Sequence, residues 1–204
     1  MQNYNLIIDI KDMEAGSPGI SEPVSVSEFK SYARLESFED DLGSTANISF
    51  TQDDDLIETI LTAARESLEK YTGISFIPKE LRVTLTNLAG LIELPYGPTG
   101  DITALYYGWD FEEDGDSATN NIADLTLVGS EFKKIYFPNE ERMVIDYSCG
   151  YGRGDTQRLP ERLKKAIMVQ ALWDFENRGD EEVSGLCKMA KQMADPFKRI
   201  TMIT

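Results

Sequence analysis

The hydrophobic period of this chain changes twice along its length, which limits the fold more than any single motif. From Asp53 to Gly73, the apolar residues Leu56, Ile57, Ile60, Leu61, Ala64, Leu68 and Tyr71 recur at helical spacing. From Leu81 to Ser148 the period falls to two. Leu81-Val83-Leu85, Ile102-Ala104-Tyr106, Leu125-Leu127, Phe132 to Phe137, and Met143-Ile145-Tyr147 alternate with polar residues and are separated by Gly, Pro and Asn. From Leu159 to Gly179 helical spacing returns. A period of two lays apolar side chains on one face of a strand, and a period near 3.6 lays them on one stripe of a helix. The chain is therefore expected to be α+β, a bundle of about three to four helices joined to an antiparallel β region.

Local signals place the helix ends. Ser25 with Glu28 three positions on is a capping-box pattern, and Val26, Phe29, Tyr32, Ala33 and Leu35 follow at helical spacing, so a first helix is expected from Val26 to Glu36. The second opens on Asp53, Asp54 and Asp55, carries Lys70 near its end, and stops before Gly73, which suits the left-handed position past a helix terminus. Its apolar stripe turns Glu58, Arg65, Glu66 and Glu69 outward. Pro160 fits the first turn of a helix running to about Asn177. The apolar set of that helix, Leu163, Ala166, Ile167, Val169, Ala171, Leu172, Trp173 and Phe175, covers more than one stripe. Such a helix either packs against a neighbouring subunit or lies centrally within one chain. A short last helix over Gly185 to Met193 is stopped by Asp195-Pro196.

The remainder reads as connections. Tyr4 to Ile10 has the alternation of a short strand, Asp12 to Pro23 is rich in Gly, Pro and Ser, and Phe38 to Thr51 is a long loop. The expected organisation is an N-terminal arm over 1–22, one α+β domain over 23–196 with a β-rich insertion at about 80–148, and a C-terminal tail over 197–204. Fully extended, that tail could reach about 26 Å.

Composition narrows the chemistry. The 204 residues include no histidine, which removes the commonest general base and the commonest transition-metal ligand together. Ser148 and Cys149 therefore have no histidine to activate them as nucleophiles. Two cysteines, Cys149 and Cys187, do not make a disulfide framework and suit a reducing compartment. With no long apolar run and no signal-peptide pattern, the expectation is a soluble, unexported chain without membrane contact. Residues 1–150 hold 10 Lys and Arg against 28 Asp and Glu, a net of −18, whereas residues 151–204 hold 10 against 8, a net of +2. So acidic a body repels the phosphate backbone. Its C-terminal piece, with Lys188, Lys191, Lys198 and Arg199 against Asp195, can seek an acidic partner.

Three patterns imitate active sites. Asp110, Glu112, Asp114, Gly115 and Asp116 approach a calcium loop, but Asn121 stands where the bidentate glutamate belongs and the flanks are strand-like. An acidic, solvated loop over 108–122 fits better, and a calcium or small-molecule module centred there is the alternative reading. Gly150, Gly152 and Gly154 follow a strand and precede a helix, yet Asp155 replaces the third glycine of a dinucleotide loop and no Gly-Lys-Ser/Thr follows. They read as a turn needing backbone freedom. Arg153-Gly154-Asp155 spells an integrin tripeptide by coincidence. No catalytic residue, cofactor or metal ligand is expected, and the chain is not read as an enzyme.

One ordered series remains. Glu22-Pro23-Val24-Ser25-Val26-Ser27-Glu28-Phe29-Lys30 is followed by the Asp53 to Gly73 helix ending Tyr71-Thr72-Gly73, then Glu93-Leu94-Pro95, then Val144 to Tyr151 with Tyr147-x-x-Gly150-Tyr151, and finally the Pro160 helix ending Glu176-Asn177-Arg178-Gly179. In this order and spacing the chain resembles the head-to-tail connector, or adaptor, family of tailed bacteriophages. It departs from that family in its long arm, its long loop between the first two helices and its insert at 108–122.

The resemblance implies a structural role in the virion neck, with assembly in the host cytoplasm. About twelve copies would form a ring under the portal, joining the DNA-filled head to a tail-side stopper or tail-completion protein, with DNA passing through the channel without sequence-specific binding. The expected portal-binding residues are Phe197, Lys198, Arg199, Ile200 and Met202, which combine charge with apolar anchors. Leu163, Ile167, Trp173, Phe175 and Arg178, together with the arm, are expected at subunit contacts, and Asp110, Glu112, Asp114 and Asp116 on a tail-side loop.

Overall fold

A computed structural model of the chain describes residues 9–12, 21–35, 54–107, 126–152, 158–178 and 185–199. They fall into two compact units, and the α+β expectation holds. The helical unit is assembled from two separated stretches, 21–72 and 159–199, and the sheet unit takes in the stretch between them.

The sheet unit contains strands β1 (Asp9–Asp12), β2 (Lys79–Glu93), β3 (Thr99–Tyr107), β4 (Leu127–Val128) and β5 (Lys134–Cys149). All pairings are antiparallel, in the order β1-β2-β5-β3, with β4 on β5. Period-two patterning puts Leu81, Val83, Leu85, Met143, Ile145 and Tyr147 into one apolar cluster with Leu105 and Ile135.

Two sequence expectations change here. Phe132 to Phe137 and Met143 to Tyr147 are not separate strands, because β5 runs unbroken through Pro138-Asn139. Pairing with β2 shifts between Leu88↔Glu140 and Gly90↔Phe137, so β5 carries one extra residue there, and a bulge absorbs a proline that has no N–H for the ladder. At the other end, the first strand extends to Asp12 and pairs with Leu81 to Thr84 of β2, so these arm residues belong to the sheet edge. Residues 4–8 lie outside the described residues.

The helical unit contains α1 (Val26–Ala33), α2 (Asp54–Thr72), α3 (Glu161–Glu176), α4 (Lys188–Ala194) and a 3-10 turn, Asp195–Phe197. The capping box is present: Ser25 Oγ accepts from the Glu28 N–H, and Ser25 N–H donates to Glu28 Oε2. Helix α1 stops short of Glu36 because Arg34 adopts a left-handed φ of 54° and closes the last turn onto Lys30 and Ser31 carbonyls. Gly73, at φ 70°, ends α2 as its position predicts. Pro160 immediately precedes α3, and Asp195-Pro196 does not stop α4 outright but carries it into the 3-10 turn. The loop at 38–51 and the insert at 108–122 lie outside the described residues. Among the described residues no helix is long and apolar enough to cross a membrane.

Candidate assembly surfaces

The segments of the ordered series touch one another in pairs within each unit. In the helical unit, Glu22 meets α2. Its carboxylate accepts from Arg65 Nε at 2.9 and 3.1 Å and from Thr62 Oγ1 at 3.1 Å, while Arg65 Nη1 donates to Glu69 Oε2 at 3.0 Å. Arg65 and Glu69 are buried, contrary to the outward positions their helical phase suggests, whereas Glu58 and Glu66 are exposed. Burial works against the Arg65 charge, but hydrogen bonding to Glu22 and the fields of Glu69 and Glu22 raise it above the ordinary arginine value. One guanidinium thus serves two carboxylates, Glu22 through Nε and Glu69 through Nη1. Val24 and Phe29 are also buried, and Glu28 accepts from Lys164 Nζ of α3 at 2.6 Å. That hydrogen bond, followed by the one from the Ser25 backbone, holds the Glu28 carboxyl below its usual range.

The sheet unit joins the Glu93-Leu94-Pro95 and Tyr147-x-x-Gly150 motifs. Tyr147 Oη donates to the Pro95 carbonyl at 2.6 Å, and Gly150 N–H donates to the Pro98 carbonyl at 2.9 Å. Burial pushes the Tyr147 hydroxyl pKa far up, so it remains a donor. Gly150 has φ 94°, and a Cβ there would stand 1.9 Å from the Ile77 carbonyl oxygen. The glycine run after β5 is therefore a tight turn at Gly150. Residues 153–157, which hold the third glycine and the integrin-like tripeptide, lie outside the described residues.

The expected portal-binding segment begins on an anchor. Tyr71 Oη donates to Asp195 Oδ1, Lys198 Nζ lies 4.5 Å and Lys191 Nζ 5.4 Å from the centre of the Tyr71 ring, and Arg199 N–H donates to the Thr72 carbonyl at 2.8 Å. The bond to Asp195 raises the Tyr71 pKa. Phe197 sits in the 3-10 turn, partly buried. The end of α2 and the start of the tail are thus one structure, joining residues 124 positions apart. Ile200 and Met202 lie outside the described residues.

Among the expected subunit-contact residues, Leu163 and Ile167 fill the interior of the helical unit. Phe175 is partly buried, edge-on to Phe29 with ring centres 6.2 Å apart, and Arg178 stacks 4.2 Å from the Phe175 ring centre on the exposed side. Trp173 is exposed. It lines a groove of about 390 Å³ together with Tyr32 of α1, Val169, Leu172 and Glu176 of α3, and Cys187, Lys188 and Met189 at the start of α4. The broad apolar face of α3 therefore divides between the interior of its own unit and an open groove. Helix α4 is held in place by two side chains that sequence reading passed over. Buried Gln170 donates to the Gly185 carbonyl at 3.2 Å and accepts from Cys187 N–H at 2.8 Å, and Arg162 donates to the Met193 and Gln192 carbonyls at 3.1 and 3.2 Å.

The sheet unit has its own exposed apolar face. Leu91 and Tyr136 are register partners and both exposed, with Val128 on the adjacent β4 and the Glu93–Lys134 ion pair, at 3.5 Å, beside them. Asp110, Glu112, Asp114 and Asp116 lie outside the described residues. Among the described residues no cluster of acidic or cysteine side chains could hold a metal ion.

Residues 40–94 match the family described as Phage gp6-like head-tail connector protein, a stretch that takes in all of α2 and β2. The chain resembles phage head-tail connectors. Its fold also matches solved structures over nearly its whole length. A chain of the "Neck of empty GTA particle computed with C6 symmetry" aligns at 22% identity with a TM-score of 0.70, covering 96% of this chain and 98% of that one. A chain of the "Virion of native gene transfer agent (GTA) particle" aligns at 20% identity with a TM-score of 0.69 over the same shares. A chain of the "Neck of native GTA particle computed with C12 symmetry" gives 19% and 0.66, again over 96% and 98%. No curated protein sequence matches. The fold of these particle chains is thus shared over 96% of this chain, while the family match is confined to residues 40–94.

Proposed function

We propose that this chain is a structural adaptor of a phage neck, acting through surface fit and ring symmetry rather than turnover. The observation that carries the reading is the near-complete, two-way coverage of a neck chain at a TM-score of 0.70, since an unrelated module sharing one motif would align over only part of either chain. A neighbouring neck is described with C12 symmetry, which supports a ring of about twelve copies here. In that ring, the upper side docks on the portal and the lower side receives a stopper or tail-completion protein. The net charge of −16 allows DNA to pass by like-charge repulsion without sequence-specific contact.

The portal contact is assigned to the C-terminal segment. Lys198 and Arg199, which begin this segment, are presented on the Tyr71–Thr72 anchor. Subunit contacts are assigned to the exposed side of α3 around Trp173 and Arg178, and to the arm.

The test is mass measurement and negative-stain imaging of the purified chain with and without its portal. Ring-shaped density on the portal is expected, and virion necks lacking the chain would refute the reading. Deleting 200–204 leaves the anchor intact and should abolish portal binding with no change in unfolding midpoint. Unchanged binding would remove the docking role from the tail.

A further inference from the structure

Helix α1 is held to its unit by less apolar surface than α2 or α3. Of its eight residues only Phe29 is buried, with Val24 just before it, whereas α2 buries seven residues and α3 six. Few buried contacts mark a segment that opens ahead of the rest of a fold. Its other ties are charged, and they are of two kinds. At its root, Glu22 bonds Arg65, whose side chain is only 6% exposed, so that tie is shielded from salt. On the helix itself, Glu28 pairs with Lys164 of α3 and Lys30 with Asp54 of α2, and these four side chains are 47, 25, 24 and 40% exposed. Pairs that reach water in this way weaken as salt is added. Tyr32, on the same helix, is the α1 wall of the groove that Trp173 lines from α3.

We propose that α1 is an electrostatic clasp. It opens from α2 and α3 on its own when the two outer pairs are screened, while the shielded Glu22–Arg65 tie keeps its root in place, and its opening removes one wall of the groove. Groove and clasp are then thermodynamically linked. A neighbouring copy that contacts the groove only in its walled form holds α1 closed, by the same factor with which closure favours that contact. The link rests on the subunit contact assigned above to the exposed side of α3, whereas the opening itself does not.

Native-state hydrogen exchange of the full chain tests this, read on the amides of Phe29 to Ala33 against those of Leu163 to Ala171. Between about 0.05 M and about 0.5 M sodium chloride, exchange in α1 should speed up by about threefold or more, the scale set by two part-exposed pairs. Exchange in α3 should hold steady or slow, because salt relieves the self-repulsion of a chain with a net charge of −16. Lys30→Met with Lys164→Met should give the fast α1 exchange already at low salt and make it insensitive to salt, with α3 unchanged. If α1 and α3 exchange together under every condition, or if the double variant keeps the salt response of the parent, the clasp is overturned. In rings assembled on the portal, α1 exchange should slow about tenfold more than that of α3. Equal slowing would overturn the link to the groove. Absence of rings in the unaltered chain would bring down the ring reading and the link with it, whereas the clasp is decided in the free chain.

Discussion

In the sheet unit, Leu81, Val83 and Leu85 of β2 face Tyr147, Ile145 and Met143 of β5 in strict register, and the charged pair Arg82–Asp146, largely buried, is itself one pair of that register, bonded twice at 2.7 Å. In the helical unit, a guanidinium sits inside the fold: Arg65 is gripped by Glu22 and Glu69, and buried Gln170 fixes the segment leading into α4. A ladder of register partners tolerates local loss, since neighbouring pairs hold the strand in place. A polar hub tolerates little, because removing one partner leaves the others buried without compensation. What the hub and clamp provide is placement. They fix the groove and the root of the tail, the surfaces assigned here to assembly, whereas an apolar core alone would specify their positions less tightly.

The largest expected effect tests where the sheet unit has no tolerance. At Gly150 the register gives way to a turn at φ 94° with a carbonyl oxygen 1.9 Å from where a Cβ would stand. Gly150→Ala should destabilise the sheet unit by about 4 kcal/mol or more, through backbone strain and displacement of the Ile77 peptide. The urea midpoint followed on sheet signal should drop sharply, and a drop under about 1 kcal/mol would mean that the turn relaxes freely. In the helical unit, Arg65→Leu takes the opposite charge away from buried Glu69 and should cost about 3 kcal/mol, toward the lower end for a broken buried pair because Glu22 keeps a quarter of its side chain exposed. Adding Glu22→Gln and Glu69→Gln should recover most of that loss. If the triple variant is no more stable than the single one, the hub is held by packing rather than by charge.

Local signals were legible and distant ones were not. The capping box at Ser25, the ends of α2, the start of α3 and the glycine turn after β5 are all written within a few neighbouring residues. The phase of α2 gave the buried positions Ile57, Leu61, Ala64 and Leu68, but it also counted Leu56, which is exposed, and it turned Arg65 and Glu69 outward, because their burial depends on Glu22, 43 residues before Arg65. Tyr71 could be assigned to the apolar stripe, yet its hydroxyl partner Asp195 lies 124 positions later. The Pro138-Asn139 pair carries the chemistry of a turn, and only pairing with β2 shows that a bulge accommodates it. Of the surfaces, an apolar set too wide for one stripe left α3 open to a central place or an exposed face, and the structure divides it, with Leu163 and Ile167 interior and Trp173 exposed. The groove beside it needed α1 and α4 to be placed first.

A smaller effect separates the two units again. Tyr147→Phe removes the donor to the Pro95 carbonyl while keeping the ring in the core. A loss of about 1 kcal/mol is expected, the cost of a partly buried acceptor that loses its donor. Because the pairing with β2 runs in unbroken register past Tyr147, from Lys79 to Thr86, the variant should unfold in a single transition of unchanged steepness, even though the pairing with β3 shifts on both sides of Tyr147. A broadened sheet transition would show that the tie to Pro95, and not the ladder, keeps this end of the unit closed.

The smallest effect concerns the sign of a pH dependence. Burial raises the Asp174 pKa above its ordinary 3.8, with the hydrogen bond from Gln170 pulling the other way. The folded state therefore binds this proton more tightly than the unfolded state, and the associated stability is present below the unfolded value and lost as pH rises through the folded one. Glu28 runs opposite. Its pKa is lowered from 4.5, so its contribution is complete above that value and is lost as pH falls through the folded one. Asp174→Asn keeps an oxygen to accept from Gln170 Nε2 and removes the buried charge. The variant should match the parent near pH 4 and gain on it by pH 7, read as a rising difference in urea midpoint of the helical unit. A difference that stays flat across that range would mean that water reaches the carboxylate as freely in the folded chain as in the unfolded one, and that the Gln170 clamp works without any cost in buried charge.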